Sequence, residues 1–253
     1  MLIDTHCHIH EASYPLDSLD VLKRAHHAGV EKLICVGTNE QSSREALDFA
    51  NRHERVFASI GVHPHDTKDG WTEVESIIRS SKPVDDKLVA VGEIGLDYFY
   101  THSPRHLQIE AFQAQIELAL KYNLPIIFHV REAFDDFWPI FDNFTGIRGE
   151  LHSFTDTQKN LEAGLQRGLY VGVNGISTFT KDKTQKAMFN TIPLERLLLE
   201  TDAPFLTPTP LRGKVNEPAF VKNVAEYHAR VRGLSFEEIA TATSANANAL
   251  FAL

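Results

Sequence analysis

Two histidines one residue apart open the chain, in Asp4-Thr5-His6-Cys7-His8, directly behind the apolar pair Leu2-Ile3. On a strand, residues two apart point to the same face. His6 and His8 therefore face one way, as a chelating pair must, and Cys7 faces the other as a packing residue. Further groups of ligand type stand where apolar runs stop: Glu93 after 88–91, His129 after 126–128, His152 after Leu151, and Asp202 after 197–199. Histidine and carboxylate are the ligands of hydrolytic divalent-metal centres. Glu93 lies between Gly92 and Gly95 among apolar neighbours, where a carboxylate is paired or metal-bound. Its two oxygens suit it to bridge two ions.

Each group also has an ordinary reading. His6 and His8 could be surface histidines, His129 a satisfied core histidine, and Asp202, ahead of Pro204, a cap. Taken together, the set predicts a metal site at His6, His8, Glu93, His129, His152 and Asp202. A second tier of residues fits substrate contact. His63 and His65 in Gly61-Val62-His63-Pro64-His65 follow the third apolar run, and Arg131 follows His129 with a fork of donors for an anion. Lys181, Lys183, Arg212 and Lys214 fall late in the chain, after the last two apolar runs. The plainer readings are turn histidines, an arginine paired to a nearby acid, and solvated lysines.

Short β-type runs occur at 2–4, 32–36, 56–60, 88–91, 126–128, 149–151, 170–173 and 197–199. Helical periodicity lies between them, at 16–28, 40–53, 72–80, 107–122, 134–144, 157–167 and 183–190, and after them at 217–232 and 235–251. The last of these opens with the capping-box pair Ser235 and Glu238. Strands alternating with helices imply parallel pairing through right-handed crossovers. Eight such units predict an α/β fold closed as a TIM-type (β/α)8 barrel, with an open doubly wound sheet as the alternative. In a barrel the C-terminal ends of the strands share one face, where active sites are built. Ligands scattered along the sequence would meet there.

The chain of 253 residues suits one barrel, and no linker, repeat or low-complexity tract divides it, so a single domain over 1–253 is expected. Two cysteines are too few for a disulfide framework, and no apolar run is long enough to span a bilayer. With no leader-like N-terminus, a cytoplasmic setting is expected, without a membrane or an obligate protein partner. The net charge of −9 opposes a large surface coated by nucleic acid but leaves a nucleic-acid substrate open, because two divalent ions would add local positive charge. Walker-type and GxGxxG loops, a GxSxG elbow and CxxC pairs are all missing, which disfavours nucleotide cofactors, serine acyl transfer and structural zinc.

These segments together resemble the TatD family of metal-dependent hydrolases, a branch of the amidohydrolase-like barrel superfamily. The resemblance rests on DTHCH from Asp4, GVHPH from Gly61, VGEIGLDY from Val91, LPIIFHVREA from Leu124, LHSF from Leu151, and LLLETDAPFL with PLRGKVNEPAFV from Leu197 onward. It implies a barrel deoxyribonuclease, often an exonuclease, with metal contacts at the same six residues. Because a metal site recessed in a barrel mouth reaches a free end more easily than a stacked duplex, single-stranded or frayed DNA ends are the expected substrate. Two ions (magnesium, manganese or zinc) are expected. Asp202 and Glu93 then serve catalysis, His63 steadies negative charge, and His65, Arg131, Arg212 and Lys214 contact substrate. One departure is Asp156, where the family usually carries glycine; it puts that loop in question and not the metal site. A C–N or ester hydrolase of the wider superfamily, acting on a cyclic amide or an aminoacyl ester, is the competing expectation.

Overall fold

The computed structural model describes residues 1–81 and 86–253. The strands are β1 (Leu2–Cys7), β2 (Val30–Val36), β3 (Val56–Ile60), β4 (Leu88–Asp97), β5 (Ile126–Arg131), β6 (Gly149–Leu151), β7 (Tyr170–Val173) and β8 (Leu197–Leu199). They follow one another in the sheet in sequence order, with helices between them, as the alternating pattern predicts. Three strands run further than their apolar stretches. β1 extends to Cys7, β4 to Asp97 and β5 to Arg131, so His6, Glu93 and His129 lie inside strands and not just past them. The last helix, Phe236–Phe251, has the expected capping box at Ser235 and Glu238. A short helix at Gly175–Phe179 falls outside the predicted segments, and the helix ending at Arg232 begins at Val221 after a single 3₁₀ turn, Pro218–Phe220. No helix among the described residues is long and apolar enough to cross a membrane.

The chain folds as two compact units, residues 35–152 and residues 1–34 with 153–253. Within 35–152, β3, β4, β5 and β6 pair in parallel, and the register sets Gly95 opposite His129 and Asp97 opposite Arg131. Every residue of β4 is buried, the signature of a parallel strand covered on both faces. Its glycines are required by the closeness of β5. A Cβ on Gly92 would lie 2.6 Å from the Ile127 Cβ, and one on Gly95 only 1.9 Å from the His129 carbonyl oxygen.

The helix Arg105–Lys121 buries two glutamines beside its apolar face. Gln115 accepts from the Val62 amide (2.7 Å) and donates to the Val62 carbonyl (3.1 Å). Gln108 accepts from the Asp97 amide (2.9 Å) and donates to the Asp97 carbonyl (3.0 Å). A buried backbone polar group left without a partner costs about 1–3 kcal/mol. These side chains thus hold the backbone where it leaves β3 and β4. Behind β5, Phe128 packs edge-on to Phe112 and Phe137, which stack on each other at 5.2 Å.

In the other unit β7 pairs with β8 in parallel, and β1 bridges the chain just past β8, Cys7 opposite Ala203. The Asp202 amide donates to the His6 carbonyl and the His8 amide to the Ala203 carbonyl, both at 2.8 Å. The first strand thus lies against the segment that follows the last. Asp4, fully buried, accepts from the Thr201 amide (2.8 Å) and hydroxyl (2.6 Å). Burial pushes its carboxyl up to about 8 against these hydrogen bonds.

Candidate metal centre

The unit containing β1 and β8 gathers three of the expected ligands. His6 and His8 point the same way, their Nε2 atoms 3.1 Å apart. Asp202 Oδ1 lies 3.4 Å from His8 Nε2 and 3.8 Å from His6 Nε2. Cys7 turns away and donates its thiol to the Ile34 carbonyl, the packing role read from its odd position. Asp202 has φ of 57°, a left-handed conformation uncommon for a residue with a side chain, and such backbone gathers at functional sites. Two imidazole nitrogens and a carboxylate oxygen converging at these distances suit a shared cation, since two lone pairs cannot hydrogen-bond to each other.

The 35–152 unit gathers the rest around Glu93. Its Oε1 lies 2.7 Å from His129 Nδ1, 3.6 Å from His63 Nε2 and 3.8 Å from His152 Nε2. Ligand atoms of His63, Glu93 and His129 all fall within 4.8 Å of one another. The structure therefore draws His63, buried, into the carboxylate cluster instead of leaving it at the rim. Burial, with His129 close by, holds the His63 imidazole well below its usual range and so neutral. The His65 amide donates to His63 Nδ1 at 3.1 Å. A neutral ring that accepts at Nδ1 carries its proton on Nε2. The nitrogen facing Glu93 is then an N–H donor and offers no lone pair to a metal.

Asp97 organises this unit. Its Oδ2 takes His129 Nε2 at 3.0 Å and His65 Nε2 at 2.9 Å, while Oδ1 takes the amides of Phe99 and Tyr100 at 3.0 and 3.1 Å. Burial alone would raise this carboxyl, but the hydrogen bonds from His129, His65 and the Tyr100 amide outweigh it and hold it well below the usual carboxylate range. Burial would lower His129, yet Asp97 and Glu93 together lift it to about 9. A metal-binding histidine commonly donates its second N–H to a carboxylate, which fixes the tautomer. Asp97 holds the Nε2 proton of His129 in that way and turns Nδ1 towards Glu93.

Asp97 stands four residues past Glu93 in the motif, but nothing in its spacing says whether it would ligate, cap or hold a histidine. Glu200 is a similar case: its Oε1 takes the Ser153 amide at 2.8 Å, just after His152, and Asn174 Nδ2 at 3.1 Å. Among the expected substrate contacts, Arg131 is exposed at the end of β5, its guanidinium 3.8 Å from the Phe99 ring centroid. Arg212 lies 3.9 Å over the Phe179 ring and donates to the Thr207 carbonyl, and Lys214 is exposed in the same loop. Asp156, at the departure from the family pattern, binds the Thr157 amide (2.7 Å) and Asn160 Nδ2 (2.6 Å) at the start of the helix Gln158–Gln166.

Parallel strands in sequence order, helices between them, β1 against the end of β8, and histidine and carboxylate gathered around the strand ends define an α/β barrel of the TIM type. The solved structure of YJJV, a TatD homologue from Escherichia coli K12, matches it with a TM-score of 0.91 at 29% identity, over 100% of this chain and 98% of that one. The chain belongs to the TatD related DNase family, whose model matches residues 3–252. It is 39% identical to the uncharacterized metal-dependent hydrolase YabD of Bacillus subtilis, over 99% of each chain. It is 34% identical to the 3'-5' ssDNA/RNA exonuclease TatD of Salmonella typhimurium, over 99% of this chain and 98% of that one.

Proposed function

We propose that this chain is a divalent-metal-dependent phosphodiesterase that removes nucleotides from single-stranded or frayed DNA ends. In this reading both clusters serve one centre in a single domain, with two ions drawn from magnesium, manganese and zinc. His6, His8 and Asp202 would hold one ion with Glu93, and His129 and His152 would hold the other, Glu93 bridging the pair. When bound, such ions acidify water and neutralise phosphate charge. The observation that carries the reading is the pairing of His129 Nε2 with Asp97, which keeps that proton in place and leaves Nδ1, 2.7 Å from Glu93 Oε1, as the nitrogen whose proton a bound metal would displace. Family membership and the exonuclease named among the relatives support the substrate class.

The residues divide the remaining work by their chemistry. Asp202, partly exposed beside His8, accepts the proton of the attacking water as general base. The Nε2–H of His63, neutral and buried, donates to the phosphoryl oxygen on which negative charge develops, with no reorganisation at the moment of reaction. Arg131, Arg212 and Lys214 hold backbone phosphates, and His65 keeps Asp97 in place.

The test is metal stoichiometry and a substrate panel with the chelator-stripped protein. Two ions per chain should bind, Glu93→Ala should lose both, and single-stranded DNA should be cut in preference to cyclic amides and aminoacyl esters. One tightly held ion that survives Glu93→Ala would overturn the bridging role, and cyclic-amide turnover above nuclease turnover would overturn the substrate class.

A further inference from the structure

Two aromatic side chains stand exposed next to the Glu93 cluster: Phe99, 47% exposed, and Tyr100, 41% exposed. Single exposed apolar residues are common and need no explanation. This pair differs because its backbone is tied down. Both amides donate to Asp97 Oδ1, while Oδ2 of the same carboxylate holds His129 and His65. One side chain thus fixes the rings outward and the histidines inward. The rings are also assembled with their neighbours. Phe99 and Tyr100 meet edge to face at 4.7 Å, and Tyr100 stacks on His102 at 5.3 Å and 22°. Arg131 lies 3.8 Å from the Phe99 centroid and 5.0 Å from that of Tyr100. A guanidinium stacked on a ring keeps its donors in its own plane, where they can still bind an anion.

Rings with exposed surface, a cation stacked among them and a rigid turn at the edge of a histidine–carboxylate cluster match one chemistry, an unpaired base followed by its phosphate. We propose that Phe99 and Tyr100 form a stacking platform for an unpaired base of the single strand being cut, with Arg131 taking an adjacent phosphate. The proposal rests on the nucleic-acid reading of the site. It also suits a chain of net charge −9, in which backbone-wide electrostatic attraction is weak and grip must come from a few local contacts. Stacking is indifferent to base identity because every base has a π face, so the platform selects unpaired strands over duplex without selecting sequence.

The experiment compares the wild-type enzyme with Phe99→Ala, Tyr100→Ala and the conservative Tyr100→Phe. The substrates are a short oligothymidylate and a strand of equal length whose end nucleotides are abasic. Each alanine variant should raise KM on the oligothymidylate roughly 5- to 10-fold with kcat kept; Tyr100→Phe should behave as wild type, and the abasic strand should register no loss. Anisotropy of a labelled oligothymidylate in chelator should report the same losses in binding. Unchanged KM in both alanine variants, or equal losses on the abasic strand, overturns the platform while leaving the nuclease reading intact. Base-dependent binding with no cleavage under any metal keeps the platform and overturns the nuclease reading; neither binding nor cleavage overturns both. A dimer of the wild-type protein that the alanine variants dissolve would assign the rings to contact between copies and overturn the proposal.

Discussion

Gly95 gives the sharpest link between backbone packing and the chemistry of the site. It sits in β4 opposite His129 with φ of 148°, and an added Cβ would meet the His129 carbonyl oxygen at 1.9 Å. Real Cβ atoms essentially never approach closer than 3.0 Å, so Gly95→Ala must push β5 back by about 1.1 Å, the difference between the two distances. The shift falls on the residue whose ring spans Glu93 at 2.7 Å and Asp97 at 3.0 Å, and both hydrogen bonds would lengthen past useful range. Overpacking of this kind costs about 1–3 kcal/mol, and the unfavourable φ adds about 1 kcal/mol. A misplacement of about 1 Å at a catalytic group costs on the order of 10²-fold in rate. Gly70→Ala is the control, because Gly70 also has a positive φ of 107° but nothing within 4 Å of the built Cβ. Urea unfolding should therefore show a loss of roughly 2–4 kcal/mol for Gly95→Ala and about 1 kcal/mol for Gly70→Ala. Only the first should lose about 10²-fold in kcat/KM on single-stranded DNA at saturating metal. Equal effects from the two variants, or wild-type kcat/KM in Gly95→Ala, would refute the argument that this glycine sets the position of His129.

Asp202→Asn should fold normally by circular dichroism yet lose about 10²- to 10⁴-fold in kcat, because an amide cannot take the proton of water; near wild-type turnover at saturating metal would reduce Asp202 to a structural residue. Stability should fall with acid through His228, fully buried with Nε2 at 3.0 Å from the Ser177 hydroxyl. Burial, and Arg232 nearby, lower it from 6.5 to about 3. The unfolded chain then binds the extra proton between these values, so this contribution is complete above pH 6.5 and is lost as pH falls towards 3. It amounts to at most roughly 4–5 kcal/mol, and His228→Gln should flatten that part of the stability–pH curve; an identical slope in the variant would remove His228 from the account. Binding of single-stranded DNA should weaken only gently with salt, with a log–log slope of about −1.5 to −2 for two or three phosphate contacts, and a slope several times steeper would show a longer electrostatic track than a chain of charge −9 is expected to offer.

The types and order of the chemical groups are legible in the sequence alone. Strand periodicity put His6 and His8 on one face with Cys7 opposed, because side chains alternate along any strand whatever its neighbours do. The order of apolar runs and helices set the parallel sheet, and Ser235 with Glu238 announced the capping box, since both depend only on neighbours a few residues away. Tertiary structure decided what each group touches. β1, β4 and β5 run on past their apolar stretches because pairing with neighbouring chain, and not hydrophobicity, sets where a strand ends. His63 reads as a rim residue from its turn-like Gly-Val-His-Pro-His setting. It is instead a buried donor beside Glu93, because Gln115 pins Val62 and the His65 amide fixes its tautomer. Asp97 stands 32 residues from both His65 and His129, so its role as their common anchor could not be read from spacing. Local rules choose the residues that can do chemistry. Register between strands decides which partner each nitrogen and oxygen meets, because a hydrogen bond requires two particular atoms within about 3 Å and in line, a condition that only the folded chain can meet.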